Sequence, residues 1–110
     1  MAFEKLMAHV LFMEYNARYF NGRLPFTAIR FVEQKQLGRC CPEERYILIS
    51  KRIMWSRVLV GETLLHEMIH LDTGVAHGWR FKFRLYSLHL VGAFMQFHLP
   101  SIKSQKKGGD

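Results

Sequence analysis

The chain has 110 residues, 49% of them hydrophobic and 23% charged, which suits one domain with its own core. That composition excludes a disordered tail, a collagen-like rod and a multidomain enzyme, and no stretch of 18 apolar residues offers a membrane span. The 16 Lys and Arg outweigh the 9 Asp and Glu, for a net charge of +7.

Glu4 and Lys5 come too early, and His9 and Glu14 interrupt the apolar residues, for a secretory signal. From Glu4 to Phe20, Leu6, Val10, Met13, Ala17 and Phe20 recur at spacings of three and four, so this segment is read as an amphipathic helix with that face inward. Asn21-Gly22 ends it, and Pro25 forbids its continuation. Thr27 to Val32 is rich in β-branched and aromatic residues and predicts a strand. Gly38 marks a turn or bulge before a short second strand at Arg39 to Cys41. Pro42-Glu43-Glu44 makes a turn, and Arg45 to Ser50 is a third strand, paired with the second as a hairpin.

Lys51 to Arg57 fits either loop or helix, and Val58 to Leu71 is helical, with Leu64, Leu65, Met68 and Ile69 as its apolar surface. Trp79 to about Val91 is a last helix, carried by Phe81, Leu85, Leu88 and Val91. Ser101 to Asp110 is a basic, disordered tail after a domain of residues 1–100. Helix, strands, helix, helix is an α+β order.

Cys40 and Cys41 are adjacent, a spacing that strains a disulfide, and no CxxC exists. They read as small, part-buried residues at a strand end in a reducing, intracellular compartment, cytoplasm, nucleoid or nucleus.

His66-Glu67-Met68-Ile69-His70 is an HExxH sequence inside the second helix. Four residues turn a helix by about 400° and advance it by about 6 Å, so both imidazoles reach one ion. Zinc suits two such nitrogens, and Glu67 borders the site where it can hydrogen-bond a water on the metal. Random placement gives this pattern in roughly 0.02 of shuffled chains, so context matters. Here the context is an apolar helix, in which buried imidazoles and a carboxylate without partners would be costly. A catalytic zinc needs a third protein ligand. No Glu follows Glu67, which leaves Asp72, His77, His89 and His98. Asp72 points away from His70 on a helix, whereas the turn containing Gly74 lets the chain bring His77 back, so His77 is favoured.

Seven of the nine acids lie at or before Glu67, while Arg80, Lys82, Arg84, Lys103, Lys106 and Lys107 all follow it. A cationic C-terminal third suits a nucleic-acid backbone. Trp79, Phe81 and Phe83 fit either core packing or stacking on unpaired bases.

Several segments resemble the SprT-like (Spartan-like) zinc metalloprotease domain. They are Phe20-Asn21-Gly22-Arg23-Leu24-Pro25 after a helix, Gly38-Arg39-Cys40, Ile47-Leu48-Ile49-Ser50, Glu62 to His70, and His77-Gly78 before an aromatic helix. The resemblance runs from about residue 4 to residue 90. It implies a zincin-like core with a small three-stranded sheet, Zn2+ held by His66, His70 and His77, and Glu67 as the catalytic base. It also implies a protein substrate, with DNA-bound proteins as the best-known targets. For the mechanism, the third strand fits either a cleft edge that pairs with an extended substrate or plain core sheet, and Tyr46, Tyr86 and His89 are the candidates for an oxyanion stabiliser. The competing class is a basic, zincin-shaped module that binds DNA or a replication partner and cleaves little; the chain is expected to be a monomer.

Overall fold

The computed structural model describes residues 2–74 and 77–92. In chain order the elements are α1 (Ala2–Tyr19), β1 (Ala28–Val32), β2 (Gly38–Cys41), β3 (Tyr46–Ser50), a 3-10 turn (Lys51–Ile53), α2 (Arg57–Thr73) and α3 (Trp79–Leu90). The fold is α+β, with three helices against one three-stranded sheet. His98 and the tail from Ser101 lie outside the described residues. No helix among the described residues is long and apolar enough to cross a membrane.

The helix α1 ends where Asn21 and Gly22 take up left-handed backbone, at φ 55° and 70°. The Asn16 side chain then pins the outgoing chain, accepting from the Leu24 N–H and donating to the Leu24 carbonyl, both at 3.1 Å. The inward face of α1 is not the expected one. Ala8 and Phe12 are buried and Leu11, Tyr15 and Tyr19 pack against the core, while Leu6, Val10, Met13 and Ala17 are exposed. The two stripes are offset by two residues, about 200° of helix rotation, and so lie on opposite sides. The tyrosine side wins because it fits α2, where a Cβ at Gly61 would sit 2.8 Å from the Tyr15 hydroxyl. Phe20, the last residue of the predicted stripe, is buried beyond the helix end.

The sheet order is β1-β3-β2. β3 runs parallel to β1, with Ala28 opposite Tyr46 and Val32 opposite Ser50, and antiparallel to β2, with Gly38 opposite Ile49. β3 is therefore central and has no free edge, so β2 rather than β3 is the edge strand beside the cleft. Arg45, expected to open β3, instead closes the hairpin turn at φ 59°. Gly38 is neither turn nor bulge but the first residue of β2. Strand alternation sends Ile29, Phe31, Cys40, Ile47 and Ile49 into the core, while Arg30 and Arg39 face out.

Lys51 to Arg57 resolves into the 3-10 turn and the Ser56 cap, whose hydroxyl accepts from the Leu59 N–H at 3.2 Å and starts α2. Every residue of α2 from Val60 to His70 is buried. A helix buried on all sides sits at the centre of a fold, and α2 packs on α1, α3, β2 and β3. On α3, Phe81, Leu85 and Leu88 face inward as expected, whereas Val91 lies past the helix end and is exposed.

Candidate metal centre

One helix and the segment before the next supply the three histidines. The rigid, buried helix α2 carries His66 and His70, one turn apart. Gly74 then adopts φ 103°, a conformation open to glycine, and its N–H caps the His70 carbonyl at 2.7 Å. His77 lies at the same spot. The Nε2 atoms of His70 and His77 are 3.0 Å apart, and one ligand atom from each of His66, His70 and His77 lies within 4.8 Å of the others. A tetrahedral site with bonds of about 2.0–2.1 Å spaces its donors about 3.3 Å apart. The three imidazoles thus fit a metal ion, and nitrogen donors of this kind suit zinc.

The Gly74 carbonyl also lies 2.9 Å from Nδ1 of His70. That carbonyl accepts, so Nδ1 carries the proton and the Nε2 lone pair is left for a metal. One backbone turn therefore ends the helix and sets the tautomer of His70.

Glu67 is 3% exposed and lines a cleft of about 750 Å³ with His70, Gly74 and His77. The opposite wall is β2 and the turn after it, from Gly38 to Glu44. β2 lies so close that a Cβ on Gly38 would fall 2.6 Å from Cγ2 of Thr63 and 2.9 Å from Oε2 of Glu67. Glycine within a strand pattern often marks such a close approach, and that was the available sequence signal for Gly38 as a residue of the site.

Cys40 is free and buried on the same strand, and Cys41 is free and half-buried, as expected for small residues at a strand end. Burial pushes the Cys40 thiol up to about 12, and the nearby charges of Glu67 and Cys41 add to it. It is therefore a neutral thiol at neutral pH. Because its folded pKa lies above the unfolded value, the folded state gains while the thiol is protonated, and this gain is lost as pH rises from about 9 towards 12. Iodoacetamide at pH 8 should leave Cys40 of the folded protein unmodified and label it after unfolding, which peptide mass mapping reads directly.

Asp72, an alternative third ligand, is instead held 2.8 Å from the Arg23 guanidinium and 3.8 Å from Nε of Arg84. Arg84 is half-buried, donates to the Tyr19 carbonyl and lies over the Phe20 ring at 5.0 Å. It thus joins α3 to the end of α1, while Arg80 and Lys82 are exposed. Lys103, Lys106 and Lys107 lie outside the described residues. Trp79 and Phe83 project into solvent and Phe81 is core. Tyr46, Tyr86 and His89 are absent from the described lining of the cleft.

No curated protein matches the chain. The model of the SprT-like family matches residues 8–100, which span all three histidines, Glu67 and the β2 wall. The chain belongs to the SprT-like family.

Proposed function

We propose that this protein is a zinc metallopeptidase that hydrolyses peptide bonds, with His66, His70 and His77 as ligands and Glu67 as general base. The observation that carries the reading is three imidazoles converging beside a buried carboxylate on the wall of a cleft. A bound zinc ion would supply a water acidified towards neutrality and a Lewis acid for the scissile carbonyl. Glu67 accepts the proton of the attacking water and returns it to the leaving amine nitrogen. β2 takes the role expected of β3: its outer edge, unpaired among the described residues, receives an extended peptide by strand addition, and Gly38 to Cys41 line the cleft along it. Family membership and the net charge of +7 favour DNA-associated proteins as substrates, within an intracellular compartment. The test is metal analysis of the purified chain alongside cleavage of an unstructured basic protein. We expect about one zinc per chain and cleavage that a chelator stops and added zinc restores. Cleavage indifferent to chelation would refute the proposal.

A specific observation also favours nucleic-acid contact, with or without cleavage. Trp79 is 77% and Phe83 68% exposed, one helical turn apart on α3, with Arg80 and Lys82 exposed beside them. Exposed rings among cations suit stacking on unpaired bases. Replacing Trp79 and Phe83 together by Ala should weaken binding of a fluorescent single-stranded oligonucleotide by roughly tenfold or more, since each stacked base contributes about 1–3 kcal/mol. Unchanged binding would place nucleic-acid contact elsewhere.

A further inference from the structure

Phe81 sits in the first turn of α3, four residues after His77, and is 1% exposed. Its ring centroid lies 5.0 Å from that of His66, 4.3 Å from His70 and 4.7 Å from His77. It stacks on His70 with 25° between planes and meets His66 and His77 edge-on, at 62° and 89°. One side chain therefore touches all three imidazoles.

We propose that Phe81 is a positioning residue of the metal centre, whose ring fixes the orientation of His66, His70 and His77 and so sets the affinity and geometry of the ion they hold. This rests on the metal reading above. The torsion that spins an imidazole about its Cβ–Cγ bond is broad, so backbone and rotamer leave the ring plane loosely defined. His70 has the Gly74 carbonyl to fix it. His77 precedes α3 and is not held by a helix of its own, and Gly78 offers no side-chain cap. Its ring neighbours among the described residues are His66, His70 and Phe81. Phe81 is in turn anchored in the core on the same helix face as Leu85 and Leu88. A flat ring can lie against one imidazole and take the other two on its perimeter, which an aliphatic side chain cannot do. It also keeps the back of the site apolar, which governs the field felt by the ligands.

A purely structural role makes a different prediction. Leu85 is equally buried on α3, so its truncation reports what loosening that helix does by itself. The experiment compares the full chain with Phe81→Leu, Phe81→Met and Leu85→Ala. It reads the stability of the metal-free protein in urea, the affinity for cobalt(II) in competition with a chromophoric chelator, and the visible spectrum of the cobalt form. Both Phe81 variants should bind cobalt roughly tenfold or more weakly, as supporting partners of ligands usually do, with altered bands. Leu85→Ala should lose stability yet, while folded, keep wild-type affinity and bands. Methionine adapts to irregular core space and serves where leucine fails to fold. Wild-type affinity and spectrum in a folded Phe81 variant overturn this inference alone. A wild-type protein that takes up no cobalt overturns the metal reading, and this inference with it.

Discussion

Glu67→Gln is expected to abolish peptide cleavage while leaving zinc in place. The substitution preserves size and shape, and the three histidines that converge beside it are untouched. What disappears is a carboxylate able to take a proton from the attacking water. General-base catalysis contributes about 10²–10⁴-fold, or about 3–5 kcal/mol of barrier. Turnover and metal content, measured on the same preparation, check both halves. A Gln variant that cleaves at the wild-type rate would remove Glu67 from the mechanism. One that has lost its zinc would instead make Glu67 part of the metal site.

The second large effect is expected at Gly38, which has no side chain to take part in the chemistry. An added methyl there would lie 2.6 Å from Cγ2 of Thr63 and 2.9 Å from Oε2 of Glu67. The Glu67 carboxylate is the end of a flexible chain and can swing away, but Thr63 is β-branched and fixed on the buried helix. Gly38→Ala should therefore push β2 off α2 and displace the carboxylate together. Overpacking of this kind costs about 1–3 kcal/mol of stability. A misplacement of about 1 Å at a reacting group can cost about 10²-fold in rate. Urea denaturation and kcat, with zinc content as the control, separate the two losses. Full activity in the alanine variant would mean that the β2 wall gives way without moving Glu67.

Both predictions concern the same narrow contact between a strand and a helix, and that contact explains what could be read beforehand. HExxH was legible because its geometry is local: four residues of helix fix where two imidazoles and a carboxylate point. The approach of His77 to those two histidines was legible because a glycine turn lies in between. Gly38 and Phe81 were not. Gly38 reads as a turn until α2 is seen against it, and Phe81 reads as core, which it also is. Their parts in the site depend on packing between elements distant in sequence.

The same division runs through the fold. The sequence by itself determined the helices and strands, the hairpin, and the placing of two histidines and a carboxylate on one stretch of helix, because periodicity, turn residues and helical spacing act within a few residues of each other. Tertiary structure alone decided which side of α1 faces inward, since two apolar stripes lie on opposite sides and only the fit of Tyr15 over Gly61 selects one. It decided that β3 is central and β2 the edge, because strand order depends on pairings that no single strand encodes. It also turned Arg84 from a free cation into a tie between Asp72, Phe20 and Tyr19. In each case the energy lies in contacts between segments far apart in the chain, and such contacts exist only once the chain has closed on itself.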